Sequence, residues 1–543
     1  MTLEHKGVLF PTPFETKGFD KINNVKISLL AEEMLWKFAP YYFNEKYNSD
    51  KVFLKNVFKD LKKQLPKELH TIDFPYALEP LFTQIIECQE KQKELNKQNK
   101  EQNKKIKEEQ KEKYGYCIKD GKKIEVSNYV VEGSRWFFSR GPLRGHWVSS
   151  VKPEDVEINA SKAPKCTVAN HNWKNIELKD TDYIAKYNIN IGFGEALVSK
   201  FVCYSLNSAK KQNDTQTKYE HAIELTKVWT STLEQIIKDC ENIDPLIREN
   251  ACISYLLFTF GIRIGNEKKE NNIRDNTFGA STLLKKHIKI KANNTLHLNF
   301  PGKDSVIFDG EKTNLDKQFI NAISYFYNTS KTDKVFNKAN SASVSAYLKN
   351  ITNLDFVSPK LCRTVLANIT LAKQLQGVSN WQKMSKKEFK NTLMQCCLEV
   401  TKTLNHKKTI TAEKAKSVDK TIKEKLILEK EKLEKVKKSV DEKLKKLEND
   451  KKLGKQVKDK IKQQKERLAK AKQKYAETKE TLEFKSESKE SNLNTALASY
   501  SNPQLNYSLC KYANQDISII YSKAQQAKFE WASQINKKFW KNY

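Results

Sequence analysis

PLIRENACISYLLFTFGIRIGNE, residues 245–267, is the stretch that decides the fold of this chain. Apolar side chains recur so densely up to Phe260 that the pattern predicts a largely buried helix in the core of a sizeable domain. A glycine ends the apolar run, and Arg263 follows it. An arginine at this point is ordinarily a cation that interacts with the C-terminal carbonyls of the helix.

The sequence around this helix is mostly helical from about residue 215 to residue 411. Residues 385–406, SKKEFKNTLMQCCLEVTKTLNH, are amphipathic, and Ser385 is a plausible N-cap. One strand pair interrupts the helices, with NTLHLNF and SVIFDG joined by Pro301-Gly302-Lys303-Asp304.

The N-terminal part of the chain has a different character. Residues 1–85 indicate a small globular unit with helices around 28–38 and 50–64. Residues 86–113 are almost purely polar, which fits either a solvated helix or helical pair, or a disordered tether. Residues 114–207 alternate apolar and polar side chains, and Asp120-Gly121 marks a hairpin, so this region is predicted to be β-rich.

Residues 412–484 form a long run rich in Lys and Glu, yet the run is patterned. Its apolar side chains recur mostly at spacings of three and four, and they fall into two groups on either side of Gly454. This arrangement predicts two helices that pair as an antiparallel coiled hairpin. The apolar positions are Ile422, Leu426, Leu433, Val436, Val440, Leu444, Leu447, Val457, Ile461, Leu468 and Tyr475.

The composition narrows the class of protein. A chain of 543 residues corresponds to about three or four domains. Its formal net charge of +32 indicates a polyanionic partner, most commonly nucleic acid, although a generally lysine-rich protein is the alternative. Ten cysteines without CxxC pairs fit reduced thiols in an intracellular protein. We expect neither a signal peptide nor a membrane span.

Several common catalytic motifs are absent from the sequence. It contains no G-x-x-x-x-G-K-[ST] loop for a nucleotide, no GxSxG nucleophile elbow and no carboxylate cluster typical of two-metal nucleases. Any chemistry must therefore use basic residues and a nucleophilic side chain.

Four basic residues are candidates for that chemistry. Arg263 lies in FGIRIGNEK, Lys303 in FPGKDS, Arg363 in the apolar stretch KLCRTVLAN and His406 in TLNHKK. Taken singly, each has an ordinary explanation: a helix C-terminal cap for Arg263 and His406, a solvated turn for Lys303 and a buried salt bridge for Arg363. Their order along the chain, Arg–Lys–Arg–His followed by Tyr500 in NLNTALASYSNPQ, is more specific than any one of them alone.

The chain resembles the eukaryotic type IB DNA topoisomerases from about residue 7 to its C-terminus. The RxGNEK and GKDS motifs are the most specific part of the resemblance, and only the long charged N-terminal extension of the nuclear enzymes is missing. The stretches that carry it are NVFKDLKK (56–63), YGYCIKDGKKI (114–124), KPEDVEIN (152–159), IRIGNEK (262–268), GKDS (302–305), CRTVLANITL (362–371) and KFEWA (528–532).

The resemblance implies a role for each candidate. Tyr500 is expected to attack a backbone phosphorus and form a 3′-phosphotyrosine with a free 5′-hydroxyl. Arg263 and Arg363 are expected to clamp the non-bridging oxygens, and His406 to donate a further hydrogen bond to one of them. Lys303 is expected to protonate the leaving 5′-oxygen as general acid. No ATP, metal or other cofactor is implied.

The resemblance also implies three further DNA-contacting residues. Arg140 matches the family's arginine near the cleavage site at the minor groove, and Asp304 and Arg140 are implied supporting contacts of the pocket where camptothecin-type poisons stack beside the broken strand. Ser499 precedes the nucleophile, where the family usually has asparagine, and "SNP" replaces "LDP" after it. The sequence WVSSVKPEDV also replaces a basic cluster, which thins one contact patch with DNA.

The implied fold is multidomain α+β, with a helical catalytic domain of the tyrosine recombinase and type IB topoisomerase fold. Five segments follow: an N-terminal cap with projecting polar helices (1–113), a β-rich DNA-clamp module (114–208), a helical catalytic core (209–411), a coiled-coil linker hairpin (412–484) and a C-terminal domain carrying Tyr500 (485–543). A single copy of the chain is expected to surround duplex DNA with its cap, its β-rich module and its helical core.

The expected function is relaxation of supercoiled duplex DNA, without ATP, by single-strand cleavage, controlled strand rotation and religation. A site-specific tyrosine recombinase is the first alternative, although recombinases lack a long helical hairpin between the histidine and the tyrosine. A non-catalytic DNA clamp is the second alternative. The expected location is the nucleus, with a viral setting as the alternative.

Overall fold

The computed structural model describes residues 2–138, 141–168, 171–178, 181–205, 208–265, 277–408, 412–449 and 454–543. These residues form a mixed α+β structure, which confirms that part of the predicted fold class. The chain folds as two compact units, the first comprising residues 1–215 with 268–276 and the second comprising residues 216–267 with 277–543. The predicted division into five segments stays a prediction.

The helices of the first unit begin where polar caps follow turns. Ser28 and Asp50 accept hydrogen bonds from backbone N–H groups at the starts of the helices Leu29–Tyr42 and Lys51–Lys62. These two helices confirm the predicted helices around 28–38 and 50–64. The polar stretch after residue 85 forms helices and not a tether. The five helices are α1 (Leu29–Tyr42), α2 (Glu45–Asn48), α3 (Lys51–Lys62), α4 (Glu79–Gln98) and α5 (Lys100–Tyr114).

Eleven strands of the first unit are described, and the longest organises the main sheet. They are β1 (Leu3–His5), β2 (Lys21–Ile22), β3 (Val25–Lys26), β4 (Tyr116–Lys119), β5 (Lys122–Glu125), β6 (Arg135–Trp136), β7 (Trp147–Val148), β8 (Val156–Ile158), β9 (Lys174–Asn175), β10 (Tyr183–Ile191) and β11 (Ala196–Cys203). One edge of β10 pairs with β11, and the other edge is shared between β8 and β7. The predicted Asp-Gly hairpin is β4–β5.

The second unit is built mainly from helices. Their bounds are α6 (Ala209–Lys227), which crosses the boundary between the units, α7 (Trp229–Asp239), α8 (Pro245–Phe260), α9 (Lys317–Thr329), α10 (Ser341–Thr352), α11 (Pro359–Gln376) and α12 (Lys386–Thr403). The strands β12 (Ile288–Lys291), β13 (Thr295–Pro301) and β14 (Ile307–Lys312) form an antiparallel sheet in chain order. The pair β13–β14 confirms the predicted strand pair, whereas β12 was not predicted.

The Lys- and Glu-rich run forms two long helices, α13 (Ala412–Asn449) and α14 (Gly454–Glu487). They run antiparallel, since Asp419 at the start of α13 pairs with Lys489 just beyond the end of α14 at 2.6 Å. Coiled-coil packing between them stays a prediction. The chain then forms α15 (Leu493–Thr495), a π-helical turn (Ala496–Tyr500), α16 (Pro503–Ala513) and α17 (Lys523–Lys528). None of the described helices combines the length and apolar character needed to cross a bilayer.

Two apolar cores lie in the second unit, and α11 contributes to both. Leu361 and Val365 pack into the core that contains α8, while Ala367 and Leu371 pack into the core that contains α12 and α16. Arg363 therefore lies on a helix fixed from two sides, and its guanidinium can be held in one place.

A close backbone contact holds the segment that carries Arg263. Ala280 N–H donates to the Arg263 carbonyl at 2.8 Å, and Ser281 N–H donates to the Ile264 carbonyl at 2.7 Å. A Cβ added at Gly279 would lie 2.5 Å from the Arg263 carbonyl oxygen, inside the closest approach of real Cβ atoms. Glycine at position 279 is therefore what allows these two segments to touch.

We expect Gly279→Ala to lower the free energy of unfolding by about 1–3 kcal/mol, because the added methyl overpacks a backbone contact. Gly377→Ala is the matched control, since its Cβ would lie 3.4 Å from the nearest atom, the Gln374 carbonyl oxygen. Chemical denaturation of both variants measures the difference. Equal stability of the two variants would show that the segment near Arg263 shifts to accommodate the added methyl at little cost in free energy.

Candidate active site

Arg363 is a buried guanidinium whose partners are uncharged. Its Nε donates to the Gly261 carbonyl at 2.7 Å, and Nη2 donates to the Leu404 carbonyl at 3.1 Å. Gly261 and Leu404 are the C-caps of α8 and α12, where helix dipoles place partial negative charge. No described carboxylate pairs with Arg363, so the predicted alternative of a buried salt bridge does not apply. Arg363 supplies a donor to the C-cap carbonyl of α8, the kind of role that the sequence suggested for Arg263.

The third donor of Arg363 reaches Tyr500. Nη1 donates to the Tyr500 hydroxyl at 3.1 Å, and the guanidinium carbon lies 5.3 Å from the ring centroid. Burial lowers the pKa of Arg363 to about 10; the Tyr500 hydroxyl opposes that shift and the charge of Arg263 adds to it. The guanidinium stays charged at neutral pH and offers its charge to the phenol oxygen and to any anion beside it.

His406 lies next to the same tyrosine. Its ring centroid is 4.6 Å from that of Tyr500, and neither ring nitrogen has a hydrogen-bond partner among the described residues. Burial, then the charges of Arg363 and Arg263, lower the pKa of His406 to about 3. The imidazole is therefore neutral, with one N–H available to donate. The structure thus excludes helix capping by the imidazole ring.

Backbone pairing connects His406 to the stretch that precedes Tyr500. Asn492 N–H donates to the His406 carbonyl at 2.7 Å, and Lys408 N–H donates to the Glu490 carbonyl at 2.8 Å. The ends of α12 and α14 are therefore held side by side, although about eighty residues of chain separate them.

The four basic candidates lie around one cleft, whose volume is about 240 Å³. Arg263, Lys303, Arg363 and His406 all line it. Lys303 lies in the turn between β13 and β14 and is exposed, as is Arg263. Tyr500 is 8% exposed and contacts two of the four through its ring and hydroxyl. The structure thus brings all five predicted catalytic residues together.

The three predicted DNA-contacting residues are placed less completely. Ser499 is exposed beside Tyr500. Asp304 belongs to the turn that carries Lys303, but its side chain lies outside the described part of the chain. Arg140 lies outside the described residues. The predicted DNA contacts of these residues stay predictions.

Sequence reasoning missed several residues at the cleft. Asn405 has a left-handed backbone, with φ at +51°, and its side-chain amide donates to the Ile307 carbonyl at 3.1 Å. This hydrogen bond connects the segment next to His406 to β14. Asn492, Thr495 and Lys407 also line the cleft. An asparagine directly after a helix is a common left-handed residue, so Asn405 carried a usable signal. The contribution of Asn492 and Thr495 depends on long-range pairing that no local pattern reveals.

The arrangement suits a phosphodiester. Two guanidinium groups and a neutral imidazole can donate hydrogen bonds to non-bridging oxygens, and an ammonium group lies in the same cleft. A tyrosine hydroxyl is hydrogen-bonded to one of the guanidinium groups. Such a set provides a nucleophile, charge stabilisation and a proton donor.

Comparison with known proteins gives matches along nearly the whole chain. The models described as the DNA binding fragment and the catalytic core of eukaryotic DNA topoisomerase I match residues 1–198 and 207–440, and a C-terminal topoisomerase domain matches residues 465–542. DNA topoisomerase 1 of Rattus norvegicus is 27% identical over 98% of this chain and 70% of its own length. DNA topoisomerase 1 beta of Arabidopsis thaliana is 28% identical over 99% of this chain and 59% of its own length. DNA topoisomerase 1 of Xenopus laevis is 28% identical over 70% of this chain and 47% of its own length. The chain thus spans from about half to 70% of the length of these relatives.

The lowered pKa of His406 predicts a pH dependence of stability. In the unfolded chain the histidine pKa is about 6.5, so between pH 6.5 and 3 the unfolded state binds more protons than the folded state. We expect the stabilising contribution to be complete above pH 6.5 and to fall as the pH drops below it, by up to about 1.4 kcal/mol per pH unit.

Denaturation of the wild-type protein and of His406→Gln between pH 5 and 8 measures this contribution. Between pH 5 and 6.5, the free energy of unfolding should fall less steeply with decreasing pH in the glutamine variant than in the wild-type protein. Identical slopes for the two proteins would show that His406 takes up a proton as readily in the folded state as in the unfolded chain.

Proposed function

Because the chain belongs to the eukaryotic DNA topoisomerase I family, we propose that it relaxes supercoiled duplex DNA by cutting and rejoining one strand. The bond is cut when Tyr500 gives up its hydroxyl proton to solvent and attacks a backbone phosphorus, and the 5′-oxygen leaves with a proton from Lys303, which gives a 3′-phosphotyrosine. The free strand then rotates under control, and the 5′-hydroxyl attacks the same phosphorus to release the tyrosine. The phosphotyrosine conserves the energy of the broken bond, so ATP is not consumed.

The contacts of Tyr500 are the observation that most strongly supports the proposal. Arg363, His406 and Tyr500 come from distant parts of the chain, yet the Arg363 guanidinium is 3.1 Å from the Tyr500 hydroxyl and the His406 ring is 4.6 Å from the Tyr500 ring. A merely structural tyrosine would not require a buried cation beside it, or a neutral imidazole whose ring nitrogens have no partner in the described part of the chain.

Each remaining basic residue has a defined part in the proposed reaction. Arg263 and Arg363 stabilise the additional negative charge on the non-bridging oxygens, and His406 donates one hydrogen bond to them. Lys303, carried on the exposed turn between β13 and β14, delivers a proton to the leaving 5′-oxygen. In religation, by microscopic reversibility, the same lysine accepts that proton.

The partner in this proposal is double-stranded DNA. The net charge of +32 supports it, since lysine and arginine contacts with phosphates supply affinity that does not depend on sequence. We further propose that the chain acts as a monomer closed around the duplex, that α13 and α14 form the linker near the rotating DNA, and that the protein works in the nucleus.

A relaxation assay on negatively supercoiled plasmid tests the activity. The proposal requires relaxation in steps of one linking number in buffer with EDTA and without ATP. A recombinase would need its own sites, and a non-catalytic clamp would bind the plasmid without relaxing it.

We expect Tyr500→Phe to abolish relaxation while DNA affinity stays near that of the wild type, because the substitution removes only the nucleophilic oxygen. Tyr507→Phe is a matched control, since Tyr507 is also 8% exposed but packs in an apolar core near Tyr521. Peptide mapping of protein attached to the 3′ end of cleaved DNA identifies the residue directly. An adduct on any tyrosine other than Tyr500 would overturn the assignment.

We expect Lys303→Ala to slow single-turnover cleavage by about 10²–10⁴-fold, the usual contribution of a general acid. A substrate with a 5′-thiolate leaving group needs no protonation and should restore most of the rate. Lys289→Ala, on an exposed position of β12 in the same sheet, is the control and should cleave normally. If the thiolate substrate brings no recovery, Lys303 only binds phosphate or supports the turn.

A further inference from the structure

The main chain on both sides of Tyr500 is held by side chains from two other helices. Before the tyrosine, Lys218 of α6 donates through Nζ to the Ser499 carbonyl at 2.9 Å. After it, the Asn502 N–H donates to Oδ1 of Asn368, on α11, at 2.6 Å. None of the roles assigned so far uses either contact.

The local backbone explains why the Ser499 carbonyl needs such a partner. The π-helical turn ends at Tyr500, and Ser501 and Asn502 are extended, so no further helical turn supplies a donor to this carbonyl. The N–H groups that follow have other partners: that of Asn502 donates to Asn368, and that of Gln504 donates to the Asn502 side chain at 2.9 Å. Lys218 supplies the donor instead.

Lys218 stands in surroundings that do not favour a structural ion pair. No described carboxylate lies within ion-pair distance of its ammonium group, and its ring contact is with Tyr219 at 3.9 Å. Burial, then the positive charges of Lys528 and Lys360, lower its pKa to about 7. Keeping an amine here costs free energy that an apolar side chain would avoid.

Asn368 makes the second attachment in a fixed orientation. It is fully buried, and its Nδ2 donates to the Thr364 carbonyl at 2.8 Å, which leaves Oδ1 facing the Asn502 N–H. The same helix, α11, carries Arg363, whose guanidinium holds the Tyr500 hydroxyl. One rigid element thus holds both the reacting end of the tyrosine and the main chain behind it.

We propose that Lys218 and Asn368 are positioning residues, which fix the main chain on either side of Tyr500 so that its hydroxyl is aimed at the phosphorus. The inference rests on the proposed function. In the proposed reaction the tyrosine is alternately bonded to a DNA strand and released from it. A shift of about 1 Å in the position of the nucleophile can lower the rate about 10²-fold. Both attachments act on the tyrosine through its backbone, since each contacts a main-chain atom of a neighbouring residue and not Tyr500 itself.

Single-turnover cleavage of a short duplex that loses its 5′ fragment on cutting tests the inference. Lys218→Met removes the donor and Asn368→Ala removes the acceptor. We expect each to lower the cleavage rate constant by about 10–100-fold, with an unchanged dissociation constant for DNA. Lys218→Arg keeps a donor and should recover most of the rate.

Two matched controls separate positioning from general stability. Lys511→Met removes an equivalent contact, in which the ammonium donates to the Ile535 carbonyl at 3.0 Å. Asn506→Ala removes a buried amide that donates to the Tyr521 hydroxyl at 2.7 Å. Both should cleave at the wild-type rate per active molecule, with the active fraction measured by the final yield of adduct.

Three results would overturn the inference. A normal rate constant in Lys218→Met with weaker DNA binding and a shallower salt dependence would make Lys218 a phosphate contact. Reduced thermal stability with a normal rate constant in both variants would make the contacts structural only. Absence of any covalent adduct with the wild-type protein would overturn the proposed function, and this inference with it.

Discussion

The site depends on a buried guanidinium that is held without being neutralised. Arg363 is 4% exposed, and two of its hydrogen bonds go to the carbonyls that end α8 and α12. Helix C-terminal carbonyls carry only partial charge, so they orient the arginine and leave most of its positive charge available. A carboxylate in the same place would have fixed the side chain equally well, but it would have competed with a phosphate.

That cation determines the state of its neighbours. Together with burial, and helped by Arg263, it keeps His406 uncharged, so the imidazole enters the site as a neutral donor. The same guanidinium is bonded to the Tyr500 hydroxyl before any substrate is present. Because α11 is packed into two cores, these relations belong to the rigid part of the second unit and not to a mobile loop.

The sequence predicted most of the helices and the residue types of the site, because those depend on local patterns. The apolar run ending at Phe260, the cap at Ser385 and the strand pair around Lys303 all follow from short-range rules. Capping by the His406 ring was the wrong local interpretation, since the C-cap carbonyls of α8 and α12 accept from Arg363, a residue of a third helix, and neither imidazole nitrogen has a partner among the described residues. The grouping of five residues came from resemblance, because contacts across a hundred residues leave no local pattern. Lys218 and Asn368 were missed for the same reason.

The extended backbone after Tyr500 has a consequence for how sequences of this kind can diverge. Because Ser501 and Asn502 leave the helical conformation, the Ser499 carbonyl is bonded to Lys218, a donor about 280 residues earlier in the chain. A substitution at position 503 alone would not return a main-chain N–H to this carbonyl, since position 503 already belongs to the next helix. Position 218 can therefore exchange its lysine only for another side chain that carries a donor to the same oxygen.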